Sequence, residues 1–331
     1  MNKSQRISIF PIILGLLSLV IGLILGSKYP LEIFKNQNSL NEIRLGGYKY
    51  TNPLLECESA TIPTELRPFK TRLEEVVNKI IDEGRASQIA VYFRDLNNGP
   101  WFGVNEDEAF TPASLLKVPL MISYFKIAES DPSILNKEIE FGGLDNEEIK
   151  YEEENITQTL TSLKAGNKYK VEELIEKMII NSDNKAADLL AKNLNQASID
   201  KPYLDNEIAI PEQVDNYIVS VRKYASFFRI LFNSSYLDRE YSEKALTILS
   251  KSEFDSGLRQ GVPFNIEVAN KFGVRVIKEG SEYQLHDCGI VYYPGRPYLV
   301  CIMTRGANFQ FLPQVIGEVS TFIFQGVDIQ K

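Results

Sequence analysis

Three short stretches of this 331-residue chain carry side chains able to do nucleophilic chemistry: Ser114-Leu115-Leu116-Lys117, Ser182-Asp183-Asn184 and Lys271-Phe272-Gly273. A serine three residues before a lysine on a helix puts hydroxyl and amine on one face, one turn apart. A free serine hydroxyl is a weak nucleophile, and a neutral lysine within reach can take its proton. The helix that should carry this pair continues with Val118, Leu120, Met121, Tyr124 and Phe125. Desolvation there disfavours the charged amine and lowers its pKa, which makes Lys117 a candidate base. A serine at a helix N-terminus also aims its own N–H where an oxyanion can use it. Each stretch has an ordinary reading as well: a snorkelling lysine, an N-cap between two helices, and a strand lysine.

The surrounding pattern supplies elements to hold these groups. Phe69, Leu73, Val76, Val77, Ile80 and Ile81 recur at helical spacing and stop at Gly84. Ile89 to Asp95 alternates as a strand, Asn97-Asn98-Gly99 reads as a turn, and Trp101 to Val104 as a second strand. The region from about 130 to 265 reads as mainly helical, with helices over Val171–Ile180, Lys185–Leu194, Ile218–Phe232 and Tyr241–Ser250 and a loop from Asn195 to Asn216. Strand patterning returns over Val268–Ile277, Tyr283–Tyr293 and Tyr298–Met303, and Phe311–Phe324 reads as a closing helix. Strands at both ends around a helical middle predict an α+β fold. One antiparallel sheet is built from the N- and C-terminal segments, with flanking helices and an inserted all-helical lobe.

The order S-x-x-K, S-D-N and a K-T-G-like triplet resembles the active-site serine hydrolases of the class A β-lactamase and penicillin-binding-protein superfamily. The resemblance covers about residues 68 to 325 and includes the stretch Asp287-Cys288-Gly289. It implies that Ser114 is the nucleophile, Lys117 its base, and Ser182 the donor to the leaving nitrogen. Asn184 would hold the substrate amide, and Asp183 would be structural. Lys271 would bind the substrate carboxylate and tune Ser182. Gly273 would let the substrate backbone approach the strand, and the N–H of Val274 would complete an oxyanion hole with that of Ser114. The implied substrate is a β-lactam or a D-Ala-D-Ala-type peptide, with no cofactor and a monomeric catalytic domain.

Two departures from that pattern bear on the reaction. Phe272 stands where a hydroxyl residue is usual. No E-x-x-L-N motif lies between Asn184 and Lys271, and that motif's glutamate activates the deacylating water in class A enzymes. The loop carboxylates are Asp200, Asp205, Glu207, Glu212 and Asp215. Glu207 is the candidate substitute, and solvated charge is the default. The expectation is an acyl-enzyme that persists. Alternatives are a D,D-peptidase of the same fold and a degenerate, non-catalytic wall-binding module.

Bulk properties bound the rest. A net charge of −8 without a basic stripe gives no support to nucleic-acid binding. Residues 9–25 are apolar and follow Lys3 and Arg6, which predicts an N-terminal anchor over 1–26 with the rest of the chain outside. A cleaved signal peptide is the alternative. Residues 27–65 read as a linker and 66–331 as the hydrolase domain. His286 is the single histidine, expected as a partly exposed strand residue. With only Cys57, Cys288 and Cys301 beside it, a zinc site is disfavoured. Cys288 and Cys301 should face each other across a hairpin centred on Pro294-Gly295, either as buried thiols or as a disulfide.

Overall fold

The computed structural model describes residues 48–52, 66–97, 99–143, 163–211, 216–277 and 281–329. The chain divides into two units, Met1–Asn41 and Glu42–Lys331. The first, with the expected anchor, lies outside the described residues, as does Cys57. Among the described residues, no helix is long and apolar enough to cross a membrane.

The second unit opens with α1 (Arg67–Asp82), whose Phe69, Leu73, Val77 and Ile80 form one buried stripe. Strands β1 (Gln88–Asp95) and β2 (Trp101–Val104) follow, then a short β3 (Ala109–Phe110). A 3-10 turn, Ala113–Leu116, leads into α2 (Lys117–Ala128). The serine therefore sits on a tight turn at the mouth of the helix, and the lysine is the first α-helical residue. The lobe continues through β4 (Glu138–Glu140), β5 (Lys168–Lys170), α3 (Val171–Ile180), α4 (Asn184–Lys192), α5 (Gln196–Leu204), β6 (Val219–Ser220), α6 (Val221–Phe232) and α7 (Arg239–Leu249). The chain returns to the sheet as β7 (Val268–Ile277), β8 (Glu282–Val291) and β9 (Tyr298–Gly306), and closes with α8 (Phe311–Ile329).

The main sheet has the order β2-β1-β9-β8-β7, with every pair antiparallel. It is built from both ends of the unit, as the strand pattern predicts. Side chains on its two faces enter separate cores. One core joins the sheet to α1 and α8 through residues such as Phe69, Phe93, Ile302 and Val319. The other joins it to the lobe through Phe110, Tyr124, Phe228 and Leu299. Helix α2 is buried almost all round, at Val118, Met121, Ile122, Tyr124 and Phe125, so it forms the spine of the lobe.

Two parts depart from the sequence reading, and a third decides between its alternatives. The segment read as the loop 195–216 begins as helix α5, which tolerates Pro202 within it. Residues 48–52, inside the segment read as a linker, are packed on the lobe. The backbone N–H groups of Lys49 and Thr51 donate to the Glu243 carboxylate at 2.8 Å, and Asn52 N donates to Phe232 O at 2.9 Å. Cys288 and Cys301 are directly opposed in register and joined as a disulfide, so the disulfide alternative holds. Gly295 adopts φ +74° in the intervening turn, a conformation glycine takes without steric penalty.

Candidate active site

The nucleophile turn is held from the sheet. Thr111 N donates to Gln284 Oε1 at 3.1 Å, and His286 Nε2 lies 3.0 Å from Thr111 O. Thr304 N donates to His286 Nδ1 at 3.3 Å, so Nε2 carries the proton and donates to Thr111 O. His286 is fully buried, which corrects the expectation of a partly exposed residue. Burial pushes its pKa down to about 3. With Nδ1 taken by a backbone N–H, this neutral imidazole positions the turn. From Thr111 the chain passes Ala113 at φ +52° and closes through Leu115 N to Pro112 O at 3.1 Å. Tyr224 on α6 donates to Leu115 O at 2.8 Å. A non-glycine residue at positive φ costs about 1–3 kcal/mol, and such strain concentrates at functional sites.

The second segment is equally constrained. Asp183 Oδ1 accepts from Lys185 N at 2.9 Å and Ala186 N at 3.1 Å, capping α4. Ser182, one residue earlier, is held at φ +55°. The cap therefore projects Ser182 and Asn184 from a rigid helix start.

Lys117 reaches this segment rather than solvent. Its Nζ donates to Ser182 O at 2.6 Å, to Ser182 Oγ at 3.2 Å and to Asn184 Oδ1 at 2.6 Å. On β7, Lys271 is completely buried, and its Nζ donates to Ser182 Oγ at 2.8 Å and to Phe272 O at 2.9 Å. Two lysines from distant segments thus meet on one serine hydroxyl. Burial lowers the Lys271 pKa well below its ordinary value, and the positive charge of Lys117 lowers it further. Two adjacent ammonium groups disfavour each other's charge, so this pair binds one proton more readily than two.

Beneath them lies Asp287 on β8, also fully buried. Asn270 Nδ2 and Leu258 N each donate to it at 2.9 Å. Burial raises its pKa to about 7, against the opposing effect of those bonds and of Lys271.

Gly273 is required by a contact other than the one the resemblance implies. A Cβ there would lie 2.6 Å from Pro112 O and 3.1 Å from Leu115 N. The close approach is made by the chain's own nucleophile turn, and it brings Val274 beside Ser114. Phe272 points to the opposite sheet face, where it stacks on Phe254 with centroids 4.1 Å apart. Its ring also lies 4.1 Å from Lys271 Nζ. It offers no hydroxyl to a substrate, as its side chain dictates.

A cavity of about 280 Å³ opens on Ser114. Ser114, Lys117, Asn184, Tyr203, Val274 and Arg275 line it, with Leu116, Leu120 and Ile199 forming apolar wall. Ser182 and Lys271 lie behind the lining. Of the loop carboxylates, Asp200 accepts from Gln196 Nε2 at 2.8 Å, and Asp205 pairs with Lys201 at 2.8 Å and accepts from Tyr236. Neither these nor Glu207 line the cavity; Glu212 and Asp215 lie outside the described residues. Asp188 on α4, which sequence reasoning missed, does line it. The available signal was its position four residues after Asn184, on the same helix face. Among the described residues, no group of three His, Cys, Asp or Glu is placed to hold a metal ion.

A hydroxyl on a strained turn, two lysines sharing a second hydroxyl and an adjoining cavity together define a serine-hydrolase type of site. The chain belongs to the β-lactamase enzyme family, whose model matches residues 72–327. Solved structures with the same fold include PBP-A in an acyl-enzyme complex with penicillin G, at 20% identity and TM-score 0.64 over 80% of this chain and 97% of that one. They also include a β-lactamase from Chitinophaga pinensis, at 19% identity and TM-score 0.66 over 77% and 99%. A class A β-lactamase from Mycobacterium abscessus matches at 19% identity and TM-score 0.64 over 77% and 99%. No curated protein matches the chain in sequence.

Proposed function

We propose that the protein is an exported, membrane-tethered serine hydrolase that forms a covalent Ser114 acyl-enzyme with β-lactams and releases it slowly. The observation that carries this reading is the meeting of Lys117 and Lys271 on Ser182 Oγ, beside a cavity that opens on Ser114. Lys117, in its neutral form, takes the Ser114 proton as Oγ attacks the carbonyl carbon. The N–H groups of Ser114 and Val274 receive the developing oxyanion. Ser182 passes a proton to the leaving nitrogen and is recharged through the lysines on either side of it. Lys271 is sealed behind the cavity lining, so its part is electrostatic tuning of Ser182. This departs from the carboxylate-binding role that the resemblance implies.

Slow release follows from what surrounds the ester. The E-x-x-L-N motif is missing, and the described loop carboxylates lie away from the cavity. The same feature supports a D,D-peptidase as the second reading, because acylation by a D-Ala-D-Ala peptide needs the same four side chains. The test is to compare fluorescent-penicillin labelling, nitrocefin hydrolysis and D-alanine release on the purified protein. Stable labelling with nitrocefin turnover far below the ~10 s⁻¹ typical of enzymes is expected. Rapid nitrocefin hydrolysis would contradict slow release, and D-alanine release outpacing it would favour the peptidase.

A further inference from the structure

One wall of the cavity carries a carboxylate that the acylation step does not use. Asn184, Ala187, Asp188 and Ala191 of α4 all line it, and their spacing of three and four residues is that of a single helix face. The facing is set by Asn184, whose Oδ1 accepts from Lys117 Nζ at 2.6 Å. Asp188 stands one turn further along the same face and is the only carboxylate among the described residues of the lining. Leu116, Leu120 and Ile199, also in the lining, offer a water molecule no polar partner. A water held in a cavity needs two to four polar partners. Asp188, Asn184, Lys117 and Ser114 are lining residues with polar side-chain atoms of that kind.

We infer that Asp188 is the general base that hydrolyses the Ser114 ester, an inference that rests on the acyl-enzyme reading above. Water attacks the ester carbonyl carbon while one of its protons passes to the Asp188 carboxylate. The tetrahedral oxyanion is held by the N–H groups of Ser114 and Val274. As it collapses, the bond to Ser114 Oγ breaks and Oγ takes the proton that Asp188 accepted from the water, relayed through neutral Lys117. The acyl group leaves as a carboxylic acid. Asp188, exposed on α4, is left ionised and Lys117 neutral for the next acylation. A base on a helix face in place of the usual loop glutamate accounts for hydrolysis that is slow but present.

The test uses the full chain acylated with penicillin G, freed of excess reagent and followed by intact mass. Asp188→Asn should lengthen the adduct lifetime by about 10²-fold or more, the lower end expected for a general base, while adduct formation changes by less than about threefold. Asp188→Ala should behave alike and be partly rescued by added formate, which returns a carboxylate to the cavity. An Asn variant whose adduct lasts no longer than the parent's would overturn the inference. So would parallel losses in formation and breakdown without formate rescue, which would mark Asp188 as structural. A parent chain that forms no adduct at all would remove the acyl-enzyme reading itself, and the base with it.

Discussion

At the scale of single residues, the site is a problem of placing protons among buried groups. Lys117, Ser182 and Lys271 form a chain of hydrogen bonds with little access to water, so moving one proton along it changes the charge of every member. Lys117→Ala should lower the acylation rate by about 10²–10⁴, the usual contribution of a positioned base. The protein should still fold, because alanine suits the start of α2; a stopped-flow labelling series measures this. Asp287 gives a second prediction. Its pKa is raised to about 7 from an unfolded value near 3.8, so between pH 4 and 7 the folded state binds more protons than the unfolded state. Stability must then fall as pH rises through that window, by up to about 1.4 kcal/mol per pH unit from this group alone. His286 works in the opposite sense: its folded pKa is about 3 against 6.5 unfolded, so its contribution rises between pH 3 and 6.5. In Asp287→Asn the declining part should vanish, leaving the His286 rise, as read by denaturant unfolding at pH 4, 5, 6 and 7. Identical slopes in parent and variant would refute the assignment. The polar residues show where sequence reading reached and stopped. Ser114, Lys117, Ser182 and Lys271 were legible because their order and spacing are distinctive. The burial of His286 and the placement of Asp188 were not, because each depends on a neighbour from a distant segment.

At the scale of elements, the sheet and the lobe meet where β7 presses on the nucleophile turn. Gly273→Ala would place a methyl group 2.6 Å from Pro112 O, and neither backbone can retreat without moving Ser114 or Val274. Penicillin labelling should drop by at least about 10²-fold, the cost of an ångström-scale misplacement at a reacting centre, with a lower melting temperature. Unchanged labelling would mean that the turn is free to shift. The strands were readable from alternation and from the hairpin around Pro294-Gly295, and α1, α3 and α6 from their apolar stripes. Helix α5 escaped notice because Pro202 lies within it and its apolar positions are few. The tight turn that starts the catalytic helix is a difference of backbone geometry over four residues, below what periodicity reports.

At the scale of the whole molecule, residues 48–52 bind the beginning of the folded unit to its lobe. Glu243 accepts from the backbone of Lys49, Tyr50 and Thr51, while Glu267 pairs with Lys49 Nζ at 2.9 Å and accepts from Tyr50. The segment read as linker gave no periodic signal because its docking rests on one distant carboxylate. Glu243→Ala leaves those N–H groups without their acceptor and should destabilise the fold by about 1–3 kcal/mol, seen as a lower urea midpoint. Removing residues 1–26 should release the protein from the membrane fraction with labelling intact. Retention in that fraction would argue against the anchor.

The most direct measurement is intact mass followed by peptide mapping after exposure of the purified chain to penicillin G. A single added penicilloyl mass is expected on the peptide containing Ser114, absent from Ser114→Ala and retained for many minutes. No covalent mass, or an adduct mapped to another residue, would contradict it.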